Sequence, residues 1–304
     1  MELLQLRCFL AVAETLHFGR AAQDLDMLPA SLGRHLRNLE DSLGTKLVAR
    51  TTRHVALTEA GEELLDDARD LVGRAETLEA KARNHQRARS SVLRLGAIDS
   101  AAAGLVPQVL SYLRQEHPDM EVTLYEQKTI RLLPRLLSGR LDLAFVRQPE
   151  VQNPKIVFRH LFYETAVVAM PADHRLASKE RVEVNELADE PLIVPDRGSR
   201  PHSHDLTMKV FLEAGLPARV AQIAEEKHTI VNLVSTGLGL AIVPRWTARL
   251  AVSGVRFVPF TMPPGGAAQR LTMAAAWARG TRDPARERLL SCLARHLEEI
   301  AGTA

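Results

Sequence analysis

The chain has 304 residues, with 39 Lys and Arg against 37 Asp and Glu and a formal net charge of +2. That length allows two or three compact units, and so small a net charge means that nucleic-acid binding must come from a local basic face. Hydrophobic residues make up 46% of the chain, yet no apolar run approaches the roughly 20 residues that cross a bilayer. The only cysteines, Cys8 and Cys292, stand at opposite ends, so neither a disulfide framework nor a cysteine-based metal site is supported. MELLQLRCFL carries Glu2 and runs straight into an amphipathic pattern, unlike a secretion signal, so the reducing cytoplasm is the expected compartment and no membrane partner is expected.

The first helix is expected to bury one stripe, Leu6, Phe9, Leu10, Ala13 and Leu16. A short second helix (Arg20–Leu25), with Ala21, Ala22 and Leu25 inward, meets a tight break at Asp26–Pro29. In the third helix Leu32, Leu36, Leu39 and Leu43 recur at intervals of four, three and four and face the core. That geometry turns Ser31, Arg34, His35 and Asn38 outward. Two helices joined by so few residues cross steeply, which lets the second project into a DNA groove. Arg34 suits a guanine edge and Asn38 an adenine; Arg37, Arg50 and Arg53 suit phosphate. The plain alternative is a solvated charged face, and the basic loop VARTTRHV directly after the helix shifts the balance to DNA.

These residues resemble the winged helix-turn-helix of the LysR-type transcriptional regulators. The resemblance rests on the Phe-x-Arg-Ala-Ala opening at Phe18, Arg34 with Leu39-Glu40 and Leu43-Gly44, Lys46-Leu47, Arg50-Thr51 and the close Leu57-Thr58-Glu59-Ala60-Gly61. One departure stands out. The family opens its recognition helix with Ser-Gln-Pro and sets a serine ahead of the arginine, whereas this chain has Leu28-Pro29-Ala30 and Gly33. Pro29 suits a first helical position, but Leu28 forfeits the side-chain oxygen of an N-cap.

After Thr58, an N-cap followed by Glu59, Glu62 and Glu63, the chain should stay helical to about Gln86. Leu64, Ala68, Leu71, Ala75, Leu78 and Ala82 alternate four and three apart, a narrow heptad seam that calls for a partner helix. The resemblance implies the same: a dimerising linker. His85–Ser91 then reads as a hinge.

From Val92 short apolar runs alternate with helical patterns: VLRLGAI, VTLY, LDLAFV, TAVVAM, PLIV, ARVAQIA, GLGLAIVP and LTMAAAW, closed by a helix from about Pro284 to Ile300. Such alternation predicts parallel sheets with ligands at strand ends. It resembles the two-lobed, type 2 periplasmic-binding-protein-like effector domain of the same family. The expected fold is thus α/β with a largely helical winged helix-turn-helix at residues 1–58, a linker helix and hinge at 59–90, and an effector-binding domain at 91–304. Lobe one is expected at 91–164 plus 268–304 and lobe two at 165–267.

Ser100, Thr129, Arg147, His202 and Ser203 correspond to cleft positions of the muconate- and benzoate-responsive branch; Ile98, Lys128, Pro201, His228 and Thr229 stand beside them. Hydroxyls, helix N-termini and one or two cations suit a small carboxylate. Each keeps an alternative: Ser100 and Thr129 as helix caps, Arg147 as partner of a carboxylate in its own lobe. Asp99 is awkward beside an anion. No nucleophile motif, phosphate loop or cofactor signature appears, and His202 and His204 with Asp205 make a weak metal pattern. The expectation is a non-enzymatic, cofactor-free transcriptional regulator that binds promoter DNA and a small organic effector. It is expected to dimerise through its linker helix, to assemble as a homotetramer, and to engage RNA polymerase if it activates. The alternative is a solute-binding or enzymatic two-lobed protein whose helical head does not bind DNA.

Overall fold

The computed structural model describes residues 1–50, 55–87, 92–261 and 271–304, and the chain divides into two compact units, Met1–Gln86 and Arg87–Ala304.

The first unit starts with α1 (Leu3–Thr15), α2 (Phe18–Asp24) and α3 (Pro29–Leu43). The buried side of α1 is Gln5, Leu6, Cys8, Phe9, Ala11 and Val12, so the expected stripe is rotated: Leu10 and Ala13 are half-buried and Leu16 is exposed at the left-handed C-cap. His17 caps α2, its Nδ1 accepting from the backbone of Gly19 and Arg20 at 3.1 and 3.2 Å. The N-cap of α3 is Leu28, which makes no side-chain cap bond, and Pro29 occupies the first turn, where a missing N–H costs nothing. Gly44 ends α3 at φ 71°, a conformation that costs other residues strain.

Next come β1 (Val48–Arg50) and β2 (Val55–Leu57), an antiparallel pair with Val48 opposite Leu57. The short α4 (Glu59–Glu63) follows, capped by the Thr58 hydroxyl, which accepts from the Gly61 N–H. A Cβ on Gly61 would stand 2.1 Å from the Leu47 carbonyl oxygen, so only glycine lets the helix approach the strand this closely. The chain stays helical beyond α4: Leu64 keeps a right-handed helical conformation and accepts from the Ala68 N–H at 3.0 Å, and α5 (Leu65–Arg87) carries the chain on. Ala68 and Val72 join the head's core with Phe9, Leu32, Leu36, Leu39 and Leu47. Leu71 and Leu78 of the seam stay exposed, at 47% and 70%. The side chain of Ala82, and much of the expected hinge, lie outside the described residues.

The second unit has two lobes. Lobe one contains β3 (Val92–Ala97), α6 (Asp99–Ala103), α7 (Leu105–Glu116), β4 (Glu121–Glu126), α8 (Thr129–Leu137), β5 (Leu143–Arg147) and β6 (Ile156–Tyr163). Lobe two contains β7 (Ala166–Pro171), β8 (Leu192–Pro195), α9 (Pro201–Glu213), β9 (Val220–Ala224), α10 (Lys227–Ser235), β10 (Ala241–Pro244) and β11 (Val255–Pro259). The chain then returns to lobe one as β12 (Thr272–Ala278) and α11 (Pro284–Gly302).

The expected parallel sheets are only partly present. In the five-stranded order β4-β3-β5-β12-β6, β3 runs parallel to β4 and β5, but the returning β12 is antiparallel to β5 and β6. Lobe two pairs β7 antiparallel with both β10 and β11, while β8 and β9 run parallel. Strands β6 and β11 went unread in the sequence. All five residues of β5 are buried, as a central strand covered on both faces requires.

Candidate functional site

In the head, Leu32, Gly33, Leu36, Leu39 and Glu40 form the buried side of α3, leaving Arg34, Arg37 and Asn38 exposed on the other. Ser31 and His35 are half-buried, and His35 Nδ1 is buried without a partner, so neither is fully presented. Arg37 donates to the Gly33 carbonyl at 3.3 Å. The side chain of Arg50 and all of Arg53 lie outside the described residues.

Glu40, named in the sequence only as part of the Leu39-Glu40 pair, joins the helix to the start of the strands. Its Oε1 accepts from the backbone N–H groups of Leu47 and Val48 at 3.0 and 3.2 Å, and its Oε2 from Lys46 Nζ at 2.8 Å. Burial alone would raise its pKa; the ammonium and two amides outweigh that and hold the carboxyl below its ordinary range. A buried carboxylate thereby ties α3 to the residues that open β1.

Between the lobes a cavity of about 130 Å³ opens where β3, α8 and β5 of lobe one face the start of α9 and α10. Ile98, Lys128, Thr129, Arg147, Pro201, His202 and Ser203 all line it. Ser100 and His228 instead line an adjoining cavity of about 280 Å³. Thr229 reaches neither; it is exposed, because Lys227, Ile230, Val231 and Val234 are the residues of α10 that turn inward.

Neither Ser100 nor Thr129 caps its helix. Both serve Arg147 instead: its Nη2 donates to Ser100 Oγ at 3.1 Å and its backbone N–H to Thr129 Oγ1 at 3.3 Å. The guanidinium also donates to the Leu271 carbonyl at 2.8 Å and pairs with buried Glu164. Arg147, 5% exposed, is thus already compensated by a carboxylate at the end of β6, and only part of it faces the cavity.

The cations between the lobes are paired as well. Asp99 of α6 holds Lys227 Nζ through Oδ1 and Arg200 Nη1 through Oδ2, each at 2.7 Å. Arg200 reaches Glu226 at 2.8 Å, and Lys128 reaches Glu225 and Glu226 at 2.8 and 2.9 Å. Each of these contacts except Arg200–Glu226 crosses from one lobe to the other, so the cleft is closed by ion pairs. Burial works against the Asp99 carboxylate, but Lys227 and Arg200 overcome it and bring its pKa down to about 2. Burial lowers Lys227 further than Asp99 restores it. Burial, with Arg147 nearby, also lowers His202 and favours a neutral ring. Ser199 Oγ lines the same cavity, buried without a partner. Sequence reading missed Asp99, Ser199, Arg200 and Lys227 as a group because packing across the lobes, not spacing, unites them.

Among the described residues no helix is long and apolar enough to cross a membrane. Residues 3–62 match the bacterial regulatory helix-turn-helix protein, lysR family, and residues 86–298 match the LysR substrate binding domain. The chain is 55% identical over 304 residues to the HTH-type transcriptional regulator TtuA of Agrobacterium vitis, covering 100% of both chains. Full-length BenM superposes with a TM-score of 0.58 at 27% identity, over 98% of both chains. The effector binding domain of BenM, solved with its effector benzoate, superposes at 0.60 and 25% identity over 70% of this chain and 94% of that one. A DNA-binding head joined to a two-lobed α/β unit, with family matches to both, makes this chain a member of the LysR family of helix-turn-helix transcriptional regulators, a DNA-binding protein with an effector-binding domain and not an enzyme.

Proposed function

We propose that α3 reads promoter DNA through Arg34 and Asn38 in the major groove, with Ser31 and His35 at its edge and Arg37, Arg50 and Arg53 on phosphates. The observation that supports this reading most is the exposure of Arg34, Arg37 and Asn38 on the face opposite the buried leucines. A small organic acid, carboxylate or aromatic, is the proposed effector of the cavity between the lobes. Its apolar wall, Ile98, Ile130, Leu133 and Pro149, suits a ring or branched body, and Thr129, Ser199 and the first turn of α9 suit a carboxylate. The benzoate in BenM's effector unit supports a nearness to the benzoate-responsive branch. Copies pair through the Leu71 and Leu78 seam, two pairs form a tetramer, and the protein works in the cytoplasm, with RNA polymerase as a further partner if it activates.

Band shifts with DNA from the region flanking its own gene test the reading. Arg34→Ala is expected to cost about 1–3 kcal/mol on the specific site and little on random DNA. Equal weakening on both would remove Arg34 from base reading. A thermal-shift screen of aromatic and aliphatic acids tests the ligand class, and no acid raising the midpoint would refute it.

A further inference from the structure

Away from both the DNA-reading face and the cleft, Glu116 at the end of α7 meets Cys292 and His296 of α11. One ligand atom from each lies within 4.8 Å of the other two, and among the described residues this is the one group of three metal-ligating side chains so disposed. We propose that Glu116, Cys292 and His296 form a zinc site that ties the C-terminal helix to lobe one.

The chemistry of the donors selects the metal. A thiolate, an imidazole and a carboxylate oxygen form a borderline set that suits zinc and disfavours calcium and magnesium, which take oxygen alone. Cys292 and His296 are four residues apart, so both project from one face of α11, the spacing by which helices present two ligands to one ion. Around a tetrahedral zinc, donor atoms sit roughly 3–4 Å apart at ordinary bond lengths. His296 Nε2 and Glu116 Oε1 already stand 3.2 Å apart. The Cys292 sulfur lies within 4.8 Å of both.

The surroundings favour such a site. Cys292 is fully buried, whereas Glu116 and His296 are each 28% exposed, so an ion approaches from solvent and meets the sulfur at the bottom. The ring of Tyr112 stacks on His296, with centroids 3.7 Å apart and planes within 2°, which holds the imidazole in orientation. Arg295 pairs with Oε2 of Glu116 and leaves Oε1, the oxygen beside the imidazole, to the metal. Fixed outer partners of this kind orient ligands at metal sites. Binding exchanges the Cys292 S–H proton for a sulfur–zinc bond and releases the proton to solvent. A water completes the fourth position. The chain order hides this site, since helix packing alone brings Glu116 to the α11 pair.

The test uses the full-length protein, stripped with a chelator and titrated with zinc chloride by calorimetry and with cobalt(II) by absorbance. The expected result is one equivalent per chain, a thiolate-to-cobalt charge-transfer band, and a higher melting midpoint with zinc. Cys292→Ser should abolish the band. His296→Phe, which keeps a ring for Tyr112, and Glu116→Gln should each weaken zinc at least about tenfold. Cys8→Ser should change nothing. If Cys292→Ser fails to fold, the other two variants decide. Lack of stoichiometric zinc, or zinc bound equally well by all the variants, would be adventitious binding and would overturn the proposal.

Discussion

Replacing Asp99 by asparagine would test whether the lobes are held together by charge. The substitution keeps the shape of the side chain and leaves Lys227, 6% exposed, and Arg200, 10% exposed, without their carboxylate across the cleft. Removing one partner of a buried ion pair leaves an uncompensated charge and costs about 3–5 kcal/mol. Trp246 and Trp277, the only tryptophans, both belong to the effector unit, so tryptophan fluorescence during urea unfolding reads that unit and not the head. Acid supplies a second signature. Since Asp99 titrates at about 2 in the folded protein and near 4 when unfolded, it contributes about 2 kcal/mol that is fully present above pH ~4 and lost as pH falls toward 2. The asparagine variant should lack that part of the acid-dependent loss. Benzoate, used as a probe anion, should raise the variant's midpoint more than the parent's, because one negative neighbour is gone. A loss below about 1 kcal/mol at neutral pH would refute the reasoning, since it would mean that these pairs are screened like surface contacts.

Two further outcomes follow from the head. Glu40→Leu removes the acceptor for the buried N–H groups of Leu47 and Val48, and at about 1–3 kcal/mol for each orphaned group should destabilise the head while leaving the effector unit's fluorescence transition in place. Because the Glu40 carboxyl is held below its ordinary range, its contribution is present above pH ~4.3 and fades as acid protonates it, a limb that circular dichroism of Glu40→Gln should show reduced. Leu78→Glu, at a seam position 70% exposed in a single chain, should shift sedimentation from paired copies toward monomer without a change in melting of the effector unit. A parent that sediments as a monomer, or a variant that stays paired, would remove the seam from assembly.

Much of the architecture was legible because it is written in local chemistry. Leu32, Leu36 and Leu39 at helical spacing assign the inner face of α3 and, by subtraction, its outer face. The α1 stripe was read with the wrong phase, since Cys8 and Val12 pack inward where Ala13 and Leu16 were expected, and periodicity tolerates a shift of one residue over so short a helix. Strand existence was equally visible in LDLAFV and TAVVAM. Strand direction was not, because β12 enters the first lobe from the second and runs back along β5.

Sequence by itself thus determined most of the helices and strands, β6 and β11 excepted, which face of α3 is polar, and several of the residues that line the cavity between the lobes. Those properties follow from the period of apolar residues and from residues that start and stop elements, and both act over a few positions. Only the tertiary structure decided what the charged groups do. Asp99 meets Lys227 from 128 residues away, Arg147 meets Glu164, and Glu40 meets the amides of Leu47 and Val48. A charge finds its partner through space, and the energy of burying it depends on the closing of the lobes, a property no local pattern carries.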